Sequence, residues 1–359
     1  MKKYMMFFLV FLFSFVSYAE EYVKGEVVSL EKIVEPDKEI QDVKSIKIFK
    51  IKILEGDQQG EEFLLEFPVY SEDAYNLDIK EKMNVVLYKE ELEDGSITYY
   101  IADIDKRNWI YSLVGIFAGM TILFTGKKGF KALIALFLVV FLIYKGLIPG
   151  IILGYSPILL ATLTALFASF ITIYLMAGLS EKGIVAIFGS VIGVLFSGIL
   201  SYVYTYKMGL TGYTSVESLS FAPLLTGIKI KEIISAGVIL GSMGAVMDVA
   251  MSISSALDEI KMRSDNIDKK ELFMTAMRIG SDVIGTMINT LVLAYIGSGI
   301  LSSIFIYLQR DQYPLIRILN FESVVVDILR AVCGSIGIIV AVPVTAYFSG
   351  IINIKRDEK

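Results

Sequence analysis

The sequence contains no histidine, one cysteine and one tryptophan in 359 residues. Without histidine it lacks the commonest transition-metal ligand and the one side chain that titrates unperturbed near neutral pH. Proton chemistry would fall to carboxylates, helped by Tyr, Lys or Arg. The lone cysteine, Cys333, lies in an apolar stretch, so no intrachain disulfide can form. Nucleotide-binding loops, metal-ligand clusters and Ser/His or Cys/His arrangements are all missing, which disfavours an ATPase or a zinc protease. No catalytic residue, metal or cofactor is assigned, and the chain is not expected to be an enzyme.

A basic excess is also missing overall, since the net charge is −5. That figure hides a split. Residues 20–108 hold 23 acidic and 12 basic residues, a net of −11, which leaves the rest of the chain at +6. The acidic part is a poor ligand for nucleic acid or anionic lipid. The basic excess belongs to loops flanking membrane spans.

What the chain has in quantity is apolar sequence. Hydrophobic residues make up 55% of it, and long apolar runs recur from Trp109 onward. This is the composition of a polytopic membrane protein. Met1, Lys2 and Lys3 precede the apolar stretch Tyr4–Phe15, and Ser17 and Ala19 stand before Glu20. That pattern reads as a secretory signal peptide over residues 1–19, with an uncleaved signal anchor as the alternative. Both place residue 20 onward outside the cytoplasm.

Residues 20–108 read as a small extracytoplasmic β domain. Lys44–Leu54 alternates, with Ile46, Ile48, Ile51 and Ile53 interleaved by lysines. A turn at Glu55–Gly60 leads into a partner strand over 61–67, and 83–89 and 96–104 supply two more. Five short strands with glycine-rich turns suggest a barrel of OB or SH3-like type. Its carboxylates are scattered at alternating positions and read as a solvated face.

Residues 109–352 read as a transmembrane helical domain with spans at 109–125, 130–148, 157–178, 184–205, 233–256, 276–300 and 323–349, followed by a cytoplasmic tail over 353–359. Two prolines and three glycines within 146–157 leave a broken or re-entrant arrangement open there. With residue 108 outside, the inner loops carry twelve Lys and Arg, among them Lys127, Lys182, Lys261 and Arg356. The outer loops carry six, among them Lys145, Lys229 and Arg317, which agrees with the positive-inside rule. Asp258–Arg263 continues the fifth span, 264–266 breaks it, and 268–279 starts as an amphipathic helix with Leu272, Phe273, Ala276 and Ile279 on one side. That helix is expected to lie along the inner interface before the sixth span turns inward.

The fifth span carries Asp248 in an otherwise apolar or small run. A carboxylate there costs several kcal/mol unless it is paired, protonated or wet. Gly237, Gly241, Gly244, Asp248, Ser252 and Ser255 fall three or four apart and share one helix face, expected to turn to the protein interior. Gly189, Gly193, Ser197 and Ser201 form a similar face on the fourth span, so the two are expected to pack closely in a central bundle. Asp282 and Asn289 lie two turns apart on the sixth span, and Asp327 and Arg330 one turn apart on the seventh. Depth places Asp248 and Asn289 near mid-membrane, Asp282 nearer the cytoplasm, and Asp327 and Arg330 nearer the outside. Each has an ordinary reading too. Asp327 and Arg330 read as an interfacial ion pair with Arg330 snorkelling. Asp282 suits a helix start, Asn289 an interhelical bond, and Asp248 a protonated interhelical hydrogen bond. Intramembrane aspartyl proteolysis needs two facing aspartates. Asp248 and Asp282 could be nominated, but their surroundings match no such motif.

The run Gly244–Ile260, GAVMDVAMSISSALDEI, resembles the signature of the YibE/F-like family of bacterial multipass membrane proteins. The resemblance implies the plan of leader, β domain and several spans, in a bacterial cytoplasmic membrane. A looser likeness is to the proton-relay half of RND-type exporters and the SecF translocase component. There a mid-membrane aspartate takes up and releases protons, and Asp248 would hold that position. Asp258 and Glu259 would match a cytoplasmic acidic cluster that follows it. This chain has one such aspartate where many of those pumps have two, and no large porter domain.

Two functions follow as expectations. One is a transporter or translocation component coupled to H+ or Na+, with Asp248 titrating and Ser252, Ser255 and Asn289 binding the ion or relaying water. Asp282 would be the inner access point, and Asp327 with Arg330 the outer pair. The other is a non-transporting scaffold whose acidic β domain binds an extracytoplasmic partner. The expected partners are the lipid bilayer, H+ or Na+, and a second copy or a membrane partner subunit. Nucleic acid is not among them.

Overall fold

The computed structural model describes residues 22–36, 42–72, 76–92, 95–214, 216–263 and 268–352. The expected signal peptide over 1–19, the helix break at 264–266 and the tail over 353–359 lie outside the described residues. The chain divides into two compact units, with the boundary between Gly119 and Met120.

The first unit is built on five antiparallel strands: β1 (Tyr22–Val34), β2 (Val43–Ile53), β3 (Glu62–Tyr70), β4 (Asn84–Glu91) and β5 (Ile97–Ile104). The sheet order is β3-β2-β1-β4-β5. The long β1 pairs with β2 on one side and, through Tyr22–Glu26, with β4 on the other. Register shifts at Val27/Ser29 and Leu30/Lys32 bend it. The sheet curls into a nearly closed barrel, bringing its two end strands near each other, with the Phe63 and Tyr99 rings 5.1 Å apart. Val27, Phe49, Ile51, Ile53, Leu65, Val85 and Leu87 fill the interior.

The four isoleucines of β2 do not share a face, because Ile48 and Ile51 differ in parity. Phe49, Ile51 and Ile53 point into the barrel, while Ile46 and Ile48 lie half-buried on the other face with Lys50 and Lys52. One carboxylate also departs from the solvated-face reading. The Asp105 side chain is 1% exposed and accepts two hydrogen bonds of 2.9 Å from the Arg107 guanidinium, with Lys24 at 3.8 Å.

Among the described residues, seven helices are long and apolar enough to cross a membrane. They are α1 (Arg107–Thr125), α2 (Lys127–Ile152), α3 (Pro157–Ala177), α4 (Glu181–Lys207), α5 (Ile230–Arg263), α6 (Lys269–Ser298) and α7 (Glu322–Ile351). The protein is a multi-pass membrane protein. α1 buries none of its own residues.

The prolines and glycines of 146–157 do not make a re-entrant loop. α2 runs on through a π turn at Ile143–Leu147 to Ile152, and Ser156 then caps α3, with Pro157 at its first position. α6 differs from expectation. It is one helix over Lys269–Ser298, not an interfacial helix followed by a span. Leu272, Ala276 and Gly280 are buried along one stripe, with Phe273 packed against the same core. At Gly280 an added Cβ would come within 2.2 Å of Val342 on α7. The apolar side of the predicted interfacial helix is therefore spent on packing inside the bundle.

Candidate functional site

The centre of the second unit is the trio α4, α5 and α7, held together by small residues. At Gly193 an added Cβ would stand 2.7 Å from the Gly337 carbonyl oxygen and 2.8 Å from Val246. At Gly189 it would meet Thr345 at 2.0 Å and Ala250 at 3.2 Å. Backbones approach this closely only where side chains are absent. Hydroxyls line the same contacts, and Ser190, Ser197, Ser201, Ser235, Ser242 and Thr345 are fully buried. Ser201 donates to Ser235 at 3.3 Å.

Both ends of the trio are pinned by polar contacts. At one end, the Lys261 ammonium of α5 donates to Glu181 of α4 and to the Ser349 carbonyl of α7. Ser254 donates to the Lys182 carbonyl at 2.7 Å, and Lys182 pairs with Asp258 at 3.8 Å. Asp258 therefore joins the helix ends, while Glu259 pairs with Arg263 at 2.8 Å on an exposed surface. At the other end, Glu322 of α7 accepts from Thr211 N at 2.7 Å, Thr211 Oγ1 at 2.7 Å and Gly212 N at 2.6 Å. Gly212 has φ +95°, and its Cβ position lies 2.9 Å from the Ile230 carbonyl oxygen, so only glycine suits the turn.

The Asp248 face of α5 is not the face this trio uses. Val238, Ser242, Val246, Val249 and Ile253 are buried, whereas Gly241, Gly244, Asp248 and Ser252 are exposed and Gly237 and Ser255 half-buried. The expectation of a closed glycine face holds only in part. The Gly237 Cβ position is 3.7 Å from the Arg330 guanidinium, and that of Gly241 is 2.3 Å from the Tyr295 hydroxyl. At Gly244 nothing lies within 4 Å, so it brings no helix close within this chain. The strip thus begins under Tyr295 and Arg330 and opens toward Asp248 and Ser252.

Contact between Gly241 and Tyr295 sets the antiparallel register of α5 and α6. Asn289 and Asp282 are both exposed on α6. None of the described residues forms an ion pair or hydrogen bond with Asp248. The structure brings Asp327 and Arg330 together at 3.4 Å, with side chains 42% and 33% exposed. It does not join Asp248 to Asp282, Asn289, Ser252 or Ser255. α6 lies mainly along α7 and meets α5 less extensively.

Sequence reasoning missed Tyr295, whose hydroxyl is buried and makes no hydrogen bond among the described residues. A tyrosine near the end of an apolar helix reads as an interfacial aromatic, so spacing alone did not single it out. Glu322 and Lys261 were missed because their partners lie 111 and 80 residues away. A groove of about 790 Å³ lies elsewhere, between α4 and α7, walled by Leu200, Tyr204, Leu329, Val332 and Ile336 with Glu322 at its rim.

The family model described as YibE/F-like protein matches residues 113–355, which takes in α2 to α7 and the whole Asp248 strip. The chain belongs to the YibE/F-like family. No curated protein and no solved structure matches it. The family match covers the helical unit and leaves the five-stranded barrel outside its bounds.

Proposed function

We propose that the chain is a cytoplasmic-membrane transporter or translocation component driven by protons or Na+, with Asp248 taking up and releasing the ion. The observation that supports this most is the setting of Asp248 near the middle of a 34-residue helix. It stands on an exposed strip of small residues, without an ion pair or hydrogen bond among the described residues. A carboxylate inside a membrane persists only if it binds a proton, binds a cation or is reached by water. All three make its state depend on the ion outside.

Ser252 and Ser255 supply hydroxyl oxygens one and two turns along the same face, and Asn289 supplies an amide from α6. Asp282 serves as the inner access point, and Asp327 with Arg330 as the outer pair. Charge neutralisation at Asp248 lowers the cost of covering the strip, so ion uptake favours closure of α6 over α5. The orientation belongs to the same proposal: residues 20–108 outside, carboxyl terminus in the cytoplasm, supported by the excess of Lys and Arg in the loops assigned to the inside. Family membership by itself names no activity.

The test is Asp248→Asn in proteoliposomes loaded with a pH- or Na+-sensitive dye. The variant should insert and accumulate normally and lose ion-coupled flux, while Asp248→Glu retains part of it. Full activity in Asp248→Asn removes the coupling role. Cargo is sought by metabolite profiling of a deletion strain across pH and Na+.

A further inference from the structure

The groove between α4 and α7 has an apolar floor, lips that face the bilayer and a rim of hydrogen-bond acceptors. We propose that it binds a single phospholipid with a primary-amine headgroup, its acyl chain laid along the groove and its ammonium at Glu322. The inference is independent of ion coupling at Asp248.

Helix spacing builds the lining. On α7 it runs through Glu322, Val325, Leu329, Val332 and Ile336, three or four residues apart and so on one face. On α4 it runs through Leu200 and Tyr204 and continues to Met208 just past the helix. Leu210, Leu329 and Cys333 are buried at the floor, where they pack with Val238 of α5. Tyr204, Met208, Ile328 and Val332 form the lips and are all exposed. Tyr204, Ile328 and Val332 belong to helices that cross the membrane, so the groove opens sideways into lipid.

Its size suits a thin, flexible chain. From Glu322 to Ile336 the groove follows α7 for about 21 Å at a rise of about 1.5 Å per residue. Half the hydrocarbon thickness of a bilayer is about 15 Å, so the groove reaches from the membrane surface through one leaflet. Its volume is about 790 Å³, inside the range of about 300–1,000 Å³ usual for small-molecule sites. A helix of the same length, about 10 Å across with its side chains, takes up about twice that volume and does not fit. An alkyl chain does, and at this depth the bilayer itself supplies one.

The rim selects the head. Glu322 Oε1 accepts from Thr211 N at 2.7 Å and Gly212 N at 2.6 Å, and Oε2 accepts from Thr211 Oγ1 at 2.7 Å. A carboxylate has about four lone-pair positions, so Oε2 keeps one. Asn320, also on the rim, spends Nδ2 on the Ile316 carbonyl at 2.7 Å and keeps Oδ1. Both remaining positions are acceptors, and one is negatively charged. An ammonium offers donors and no acceptor, which is the complement of this rim. A head without an amine brings only its phosphate charge toward Glu322. At the same end Lys207, next to Met208, and Arg317, stacked at 5.8 Å over Phe321, are exposed and form no ion pair among the described residues. They are the cations for the phosphate of a zwitterionic lipid.

The test places the full chain in nanodiscs of phosphatidylglycerol with a small fraction of phosphatidylethanolamine that carries a photoreactive group on its acyl chain. Cross-links mapped by mass spectrometry should concentrate on residues 200–208 and 325–336. Unlabelled phosphatidylethanolamine should displace them about tenfold better than phosphatidylcholine, whose methylated nitrogen has no N–H. Glu322→Gln keeps an acceptor oxygen for Thr211 and Gly212 but loses the charge, and should reduce that preference to about twofold or less. Val332→Trp, on an exposed lip and away from the packed core, should fill the groove and cut cross-linking there about tenfold without lowering thermal stability. Cross-links spread evenly over the exposed faces of all spans, and unchanged in Val332→Trp, identify bulk lipid only and overturn the proposal. Equal displacement by phosphatidylcholine, or an undiminished preference in Glu322→Gln, overturns the amine head. A disulfide between two chains carrying Ile328→Cys assigns the groove to a second copy and also overturns the proposal.

Discussion

Asp105 is a buried carboxylate and Asp248 one on an exposed strip, and their surroundings treat them in opposite ways. Asp105 is met by the Arg107 guanidinium, by the Arg107 N–H at 3.0 Å and by Lys24. The Arg107 hydrogen bonds, working against burial, hold its carboxyl below the usual carboxylate range. Because the folded value is depressed, the stabilisation is present above the unfolded value near 3.8 and is lost as pH falls through the folded one. Asp105→Asn should therefore lower stability at pH 7 by about 1–3 kcal/mol. The gap from the unsubstituted chain should close as the pH is taken below the carboxylate range, checked by thermal melts at several pH values. Asp248 has no such partner, and that contrast is why its substitution by Asn is read through ion flux and not through stability. Of the two, only Asp248 stood out in the sequence. A carboxylate in an apolar run is visible as a mismatch, whereas Asp105 is one of 23 acidic residues in residues 20–108 and its burial is a matter of where Lys24 and Arg107 come to lie.

α5 carries two faces with different fates. Its apolar face meets Gly193 and Gly337 through Val246 and Gly334 through Ser242, and its small-residue face carries Gly244 and Asp248 into the open. Spacing reveals the small-residue face, since residues three or four apart must share a face. It cannot say which face is closed, because that depends on the helices set beside it. A pair of substitutions separates them. Gly193→Ala puts a methyl group 2.7 Å from a backbone oxygen, so α4 and α7 must part, and stability in detergent should fall by about 1–3 kcal/mol. Gly244→Ala meets nothing within 4 Å and removes a helix-propensity penalty, so stability should hold or rise by up to about 1 kcal/mol. Chemical unfolding of both variants, followed by circular dichroism, decides between them. α6 teaches a related lesson. Its amphipathic start was legible, but the same stripe serves a membrane surface or a neighbouring helix equally well, and Val342 against Gly280 made it the latter.

The whole chain joins a barrel that lies outside the family match to a helical unit that lies within it. This division separates the two functional expectations. Removing residues 22–105 while keeping Trp109 should leave part of the ion-dependent flux in proteoliposomes if the helical unit transports. A scaffold acting through the barrel would lose all activity when the whole and shortened chains are compared in cells.

Membrane character, the number of spans and four of the five strands were readable in the order of residues, because hydropathy and alternation are local quantities that survive in any context. So was Asp248, since a charge in an apolar run is costly wherever the run is placed. The thirteen-residue β1 was not delimited, its alternation being interrupted by the bends at Val27/Ser29 and Leu30/Lys32. Which face of α5 is covered, where Asp105 finds its cations and how Glu322 and Lys261 tie distant helices all rest on contacts between residues far apart in the chain. Those contacts are set by how the elements pack together, and no local pattern contains them.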